Sequence, residues 1–148
     1  MTDTIVINQG WLWLSDDLVA NDQDYLKLYF KKCFVSYFFD VQTTHFAGGG
    51  HYSFYTGKKW LEFVIQDIMC PTHANFSTVV DYIKDWVDNQ TSFYIEIKRD
   101  SSNNLVEWDG DNTQFKVTLK NGLVNMEKTS LGNGTIFRIR KLELVQTS

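Results

Sequence analysis

The residues best suited to hold a metal ion lie in the middle of the chain. His45 and His51 flank a glycine run, and Cys70 and His73 stand in a C-x-x-H step. Imidazole nitrogen and thiolate sulfur are the donors that tetrahedral zinc takes, and four of them complete a site. However, the H-x5-H spacing is looser than that of most zinc motifs. We therefore predict no metal and no cofactor, and we keep a zinc module built from these four residues as an alternative.

A cysteine and a histidine could also serve as a nucleophile and its base. A reactive cysteine needs an accessible, electropositive setting that lowers the pKa of its thiol. Cys33 and Cys70 instead lie in apolar, strand-like stretches, and the chain contains no G-x-S-x-G sequence. The sequence favours two reduced, buried cysteines and no enzyme.

Two further motif candidates fail on their context. Glu107, Asp109 and Asp111 alternate as calcium ligands can, but the bidentate glutamate of an EF-hand is missing, so a solvated turn is preferred. The run Gly48–Gly50 is not followed by a Gly-Lys-Ser/Thr sequence, so it predicts no phosphate site. It is better explained as a flexible loop or hairpin tip.

The chain has five tryptophans, and their positions divide them into two groups. Trp86 lies on the apolar face of a predicted helix and Trp60 begins a predicted strand, so we expect both in the core. Trp11, Trp13 and Trp108 lie near segment ends or turns. Aromatic residues of this kind are enriched at protein interfaces, which is the preferred interpretation. A stacking platform in a carbohydrate-binding β-sandwich is the alternative.

The overall charge argues against a protein that binds nucleic acid. The chain of 148 residues has 18 acidic and 14 basic side chains, a formal net charge of −4. Phosphate-binding surfaces normally show a basic excess, because neutralising phosphates supplies much of their affinity. Hydrophobic residues make up 43% and aromatic residues 16% of the sequence. This composition predicts a well-packed interior or a sizeable interface in one domain, residues 1–148.

The sequence shows no targeting or membrane signal. The first residues carry no basic region followed by a long apolar stretch. No apolar run approaches the roughly eighteen residues of a membrane span. We expect synthesis in the cytoplasm and no membrane partner.

Extended segments dominate the first half of the chain. Residues 1–14 are predicted as an extended N-terminal arm or short strands, with a kink at Gln9–Gly10. Apolar patterns predict strands over Tyr25–Val41 and Trp60–Cys70. The intervening residues 43–57 are predicted as a loop or hairpin tip.

One amphipathic helix is predicted over residues 75–89, capped at its start by Asn75 or Ser77. We expect it to lie across a sheet. Its apolar residues recur at helical spacing and are Phe76, Val79, Val80, Ile83, Trp86 and Val87.

Strands follow the helix to the C-terminus. They are predicted over Phe93–Arg99, Leu105–Trp108, Phe115–Lys120 and Thr135–Val145, with a hairpin turn at Asn121–Gly122. The order of strands, one helix and further strands, without repeated β-α-β units, predicts a mainly β (α+β) fold. We expect an antiparallel β-sandwich or incomplete barrel with one amphipathic helix packed on it.

The last strand changes the parity of its apolar positions. Phe137 and Ile139 are odd, whereas Leu142 and Leu144 are even. A β-bulge near Arg140–Lys141, or a strand that passes from one sheet to another layer, explains such a change.

This order of elements resembles the tail-tube fold of long-tailed phages and the related tube proteins of contractile secretion systems. The resemblance rests on the arm Thr4–Leu14, the two long strands, the helix with the form N-F-S-x-V-V-x-Y-I-x-x-W, and the closing segment Phe137–Arg140. It covers most of the chain. It implies a structural protein that forms stacked homohexameric rings in a virion tail, beside other tail proteins, around a lumen through which DNA passes as cargo.

We expect the subunit contacts to come from the N-terminal arm, the glycine loop and the freer tryptophans. Strand edges that are unpaired in one subunit would be hidden between subunits. Deletion of Met1–Leu14 is then expected to abolish assembly and to leave a folded monomer. The predicted interface residues are Ile5, Ile7, Trp11, Trp13, Gly48, Gly49, Gly50 and Trp108.

Overall fold

Antiparallel strands make up most of the protein. The computed structural model describes residues 2–15, 25–45, 49, 51–70, 72–100, 103–107, 113–120, 125–131 and 134–147. Every strand pairing within these residues is antiparallel. The mainly β fold with a single helix is therefore confirmed for this part of the chain. Its elements are β1 (Thr2–Ser15), β2 (Leu26–His45), β3 (His51–Cys70), α1 (His73–Asn89), β4 (Phe93–Lys98), β5 (Phe115–Leu119), β6 (Asn125–Leu131) and β7 (Gly134–Gln146).

Six strands close into a ring of pairings around the core. β1 pairs with β2 and β4, β2 with β3, β3 with β7, β7 with β5, and β5 with β4. β6 pairs with the first part of β7. Phe30, Phe63 and Phe115 are fully buried inside, and each such side chain contributes about 1.5–3 kcal/mol through burial. The arrangement is a barrel that is incomplete along the first half of β1.

A crease crosses four neighbouring strands at Gln9, Lys31, Asp67 and Arg140. The registers place these residues side by side, but none of the three strand pairings includes a pair between them. In β2, β3 and β7 the buried positions change parity at the crease. Gln9 and Asp67 adopt left-handed backbone conformations, with φ of 64° and 54°. These two residues turn their strands so that apolar side chains point inward on both sides of the crease.

The crease confirms two sequence predictions. The register of β7 against β6 shifts where Lys141 faces Asn125 and Ile139 faces Met126, so Arg140 is an extra residue on β7. This is the β-bulge predicted near Arg140–Lys141. The kink predicted at Gln9–Gly10 corresponds to the positive φ of Gln9.

The helix begins two residues earlier than predicted. Its N-cap is Thr72, whose side-chain oxygen accepts a hydrogen bond of 3.2 Å from the backbone nitrogen of Asn75. The prediction of Asn75 or Ser77 as the cap is therefore wrong. The backbone of Thr72 is extended, which suits a cap better than a position inside the first turn.

The helix packs on the core through one face. Val79 is buried, the ring of Phe76 lies 5.1 Å from that of Phe137, and Tyr82 stacks on Phe93 at 6.1 Å. Val87 is 57% exposed, so its predicted place on the buried stripe is wrong. It lies in the last turn, beyond the residues that reach the sheet.

Two predicted segments differ from the structure, and a third lies outside the described residues. Residues 43–57 are mostly strand, because β2 continues to His45 and β3 begins at His51. Residues 105–107 form no strand, although Asn104 forms an isolated bridge with Lys98. Asn121–Gly122 lies outside the described residues. The pairings described here join β5 to β4 and β7, and β6 to β7, so they give no hairpin between β5 and β6.

A helix that is long and apolar enough to cross a membrane is not found among the described residues.

Candidate assembly surface

The two halves of β1 have different numbers of neighbours. β2 pairs with β1 from Thr2 to Leu14, whereas β4 pairs with β1 from Trp11 to Ser15. Within the described residues, the segment Thr2–Gln9 therefore has a hydrogen-bonded partner on one side. We call this segment the assembly edge.

The assembly edge exposes apolar side chains on both faces of the sheet. Ile5 and Val6 are each 48% exposed, and as consecutive strand residues they point to opposite faces. Ile5 pairs with Val35, which in turn pairs with Phe63, and both of these partners are fully buried. In this row of core-facing side chains, the residues on β2 and β3 are thus buried, whereas Ile5 on β1 is exposed.

The assembly edge also lacks the usual protection against pairing with another chain. Exposed edges are commonly blunted by lysine, proline or inward-pointing charges. Between Thr2 and Gln9 the one charged residue is Asp3, and neither lysine nor proline occurs. The edge is therefore competent to accept an added strand.

An apolar patch on the outer face continues from the assembly edge. Val6, Phe34 and Val64 lie side by side on β1, β2 and β3. Phe38 and Trp60 are paired further along β2 and β3, with rings stacked at 5.3 Å and 7°. Trp60 is half-buried on this outer face, so the prediction that it belongs to the core is wrong. Its even-numbered position places it opposite to the inward Leu61.

The two predicted interface tryptophans of β1 differ in accessibility. Trp11 is 37% exposed and touches Tyr29 edge-on at 5.5 Å. Trp13 is 3% exposed, and the ammonium groups of Lys27 and Lys98 each lie 4.3 Å from its ring centroid. Trp13 therefore offers little area to another subunit, whereas Trp11 remains accessible.

The other predicted interface residues are placed only in part. Ile7 is half-buried beside Cys33, and Gly49 is exposed with φ of 94°. Gly48, Gly50 and Trp108 lie outside the described residues.

Sequence reasoning missed a tight contact at the boundary between the two halves of β1. A Cβ atom on Gly10 would lie 2.7 Å from Cζ of the buried Phe30 and 3.1 Å from the carbonyl oxygen of Lys98. Gly10 thus lets β1 approach both neighbours closely. The isolated glycine in a strand pattern was the available signal.

The four zinc candidates do not converge. His45 and His51 are ladder partners at the hairpin end of β2 and β3, whereas Cys70 ends β3 at its other end. A strand rises about 3.3 Å per residue, so the distance from His51 to the crease alone is on the order of 50 Å. His73 lies near Cys70, with its ring edge-on to Phe137 at 5.4 Å. No group of three metal-ligating side chains is found within the described part of the chain.

The two cysteines are buried thiols. Burial raises the pKa of Cys33 to about 12 and that of Cys70 to about 11. Both thiols are therefore uncharged at neutral pH, a state that is unsuited to nucleophilic attack.

Charged residues on the outer face of β6 and β7 pair with one another. Glu127 bonds Arg138 at 2.8 Å and Arg140 at 2.6 Å, and the hydrogen bond from Arg138 lowers the pKa of Glu127. Such exposed pairs contribute little stability. They keep this edge of the sheet polar, in contrast to the assembly edge.

Comparisons with protein families, with curated proteins and with solved structures find no match to this chain.

Proposed function

We propose that the protein is a structural subunit that assembles with copies of itself through the assembly edge. The observation that carries the proposal is the first half of β1, which has one strand neighbour among the described residues and exposes Ile5 and Val6 on opposite faces. An added strand would form backbone hydrogen bonds along this edge and cover both side chains. The inward residues of the added strand would also close the open end of the core row.

A second copy of the chain is the partner that we propose for this edge. Identical subunits that associate through two different surfaces form closed rings when the rotation between them closes. The outer patch beside the edge adds the apolar area of Phe34, Phe38 and Trp60 to such a contact. The partner can thus bury both backbone groups and apolar side chains in one interface.

The assembly that we propose is a virion tail-tube-like stack of homohexameric rings, with DNA passing through the lumen. The proposal draws on the resemblance in element order and on the net charge of −4. A conduit must release its cargo, and an acidic protein repels DNA instead of holding it. In this setting the contacts of the protein are other copies of itself and neighbouring tail proteins.

The solution mass of the full chain, measured by light scattering and followed by negative-stain imaging, tests this proposal. We expect rings with a mass of about six subunits of 17.3 kDa. Val6→Lys places a charge on the assembly edge and should give a monomer, since an edge lysine blocks strand addition. Val87→Lys is the matched control, because Val87 is an exposed valine on the helix, and it should leave the rings intact.

A monomeric wild-type protein would refute the proposed assembly. Rings that persist in Val6→Lys would show that the subunits associate through another surface. Circular dichroism of both variants should match the wild type, which separates loss of assembly from loss of folding.

A further inference from the structure

We infer that a separate site, on the outer face of β2, β1 and β4, binds an uncharged pyranose sugar. The site does not include the assembly edge and does not rest on the proposed function. Its side chains come from the buried half of β1 and the strands that flank it on both sides.

Two adjacent rows of side chains build this face. Tyr29, Trp11, Lys98 and Asn104 are successive partners across β2, β1, β4 and the isolated bridge. Lys27, Trp13 and Glu96 are successive partners in the next row on the same face. Opposite residues in antiparallel pairs point to the same side, so aromatic rings and charged groups alternate over a small area.

A cleft of about 270 Å³ opens on this face, lined by Trp11, Trp13, Lys27 and Asp100. Trp13 forms its floor, held by the two ammonium groups at 4.3 Å. Trp11 forms an accessible wall, and its edge contact with Tyr29 fixes the orientation of the indole. An exposed, oriented indole beside a few polar groups is the usual composition of a small-ligand site.

The cleft is lined by a hydrogen-bond donor and an acceptor, the ammonium group of Lys27 and the carboxylate of Asp100. Within the described residues neither Lys27 nor Lys98 forms an ion pair, although Lys98 is 7% exposed. A hydroxyl group can accept a hydrogen bond from the ammonium group of Lys27 and donate one to the carboxylate of Asp100.

The charges on the face select an uncharged ligand. Among the described residues of this face, Lys27 and Lys98 are balanced by Glu96 and Asp100, so these side chains carry no net charge that would attract an anion. A purely apolar ligand would form no hydrogen bond with Lys27 or Asp100, the polar residues that line the cleft. A pyranose meets both conditions, because its C–H face stacks on an indole and its hydroxyls supply donors and acceptors around the rim.

Titration of the full-length protein with methyl glycosides of glucose, galactose, mannose and N-acetylglucosamine tests the inference. The readouts are tryptophan fluorescence and the indole N–H signals in ¹H–¹⁵N NMR spectra. We expect at least one glycoside to shift the Trp11 signal saturably. Acetate and phosphate at the same ionic strength should leave this signal unchanged.

Variants identify the residues that bind the sugar. The use of several variants keeps the test valid if one of them folds poorly. Trp11→Ala should weaken binding by at least tenfold. Trp11→Phe keeps an aromatic ring, so its affinity should lie between those of the wild type and Trp11→Ala. Trp60→Ala, on the patch of β2 and β3, should bind like the wild type. Lys27→Met should also weaken binding, because it removes the ammonium group that lines the cleft.

No shift with any of the four glycosides would overturn the inference. It would also be overturned by Trp11→Ala binding like the wild type, or by anions binding as well as sugars. Val6→Lys should keep sugar binding whether or not it assembles, so failure of the proposed assembly and failure of the sugar site are distinguishable.

Discussion

The two halves of β1 are continuous in backbone and share the partner β2, yet their environments are opposite. In the part of the chain that the structure describes, Thr2–Gln9 has one strand neighbour, and its side chains Ile5 and Val6 are exposed. Trp11–Leu14 lies between β2 and β4, and Leu12 and Leu14 are at most 1% exposed. The difference arises from the length of β4, which stops opposite Trp11. One strand can thus belong to the core at one end and remain available for assembly at the other.

This comparison corrects the expected effect of deleting Met1–Leu14. The deletion would remove the core residues Leu12 and Leu14 and the strand that joins β2 to β4. It should therefore unfold the protein instead of leaving a folded monomer. The segment that can be removed from the core ends at the crease, at Gln9.

The largest difference between the halves should appear in leucine and isoleucine truncations. Leu12→Ala removes a fully buried side chain and should lower the free energy of unfolding by about 2–5 kcal/mol. Ile5→Ala in the monomeric Val6→Lys background should lower it by less than about 1 kcal/mol. Urea denaturation measures both, and equal losses would contradict the division of β1.

A methyl group added at Gly10, the boundary between the two halves, should lower the free energy of unfolding by less than Leu12→Ala does and by more than Ile5→Ala does. The Cβ of Gly10→Ala would lie 2.7 Å from Cζ of Phe30, and such overpacking costs about 1–3 kcal/mol. Phe30→Leu creates space, so the added cost of Gly10→Ala should shrink in that background. A double-mutant cycle by urea denaturation measures the coupling, and additive effects would exclude this contact as the cause.

The stability of the protein at alkaline pH should show whether the assembly edge remains paired with β2. Cys33 faces Ile7 of this edge, and burial raises the pKa of its thiol from 9.0 to about 12. Above pH 9.0 the unfolded thiol loses its proton while the folded thiol keeps it, so stability falls as pH rises toward 12. The loss from Cys33 should approach about 1.4 kcal/mol per pH unit.

The control for this pH effect is Cys33→Ala, measured by urea denaturation across the same range. Its stability should fall less steeply above pH 9.0 than that of the wild type. Identical slopes would mean that the thiol is already accessible and that the assembly edge does not cover it.

The smallest effect is expected at the crease. Gln9 has φ of 64°, a conformation in which L-residues are strained. Gln9→Gly should relieve this strain, which raises the free energy of unfolding. Glycine also adds conformational entropy to the unfolded chain, which lowers it, so the net gain in stability should be at most about 1 kcal/mol. Gln9→Val should be destabilising because a β-branched residue tolerates this φ poorly. Urea denaturation of both variants checks the order, and a more stable Gln9→Val would contradict it.

The local patterns of the sequence predicted most of the elements. Alternation and helical spacing gave the strands and the helix, and the parity change between Ile139 and Leu142 gave the bulge at Arg140. These signals lie within a few neighbouring residues, so they can be recognised without knowing which strands pair with one another.

The candidate surface was predicted less well because it depends on distant partners. Ile5 and Leu12 look alike in sequence, and their different burial is decided by where β4 ends, more than eighty residues later. The cover of Trp13 by Lys27 and Lys98 likewise requires the register of three strands. The predicted cap at Asn75 or Ser77 failed for a local reason, since Thr72 offers an equivalent side-chain oxygen three residues before Asn75.

Hydrogen exchange along β1, compared between the wild type and Val6→Lys, tests the central claim most directly. The amides of residues 11–14 should be protected in both proteins, because β2 and β4 enclose them. The outward amides of residues 2–9 should be protected in the wild type at assembling concentrations and exchange freely in Val6→Lys. Free exchange of these outward amides in the assembled wild type would show that no strand of a second copy occupies the assembly edge.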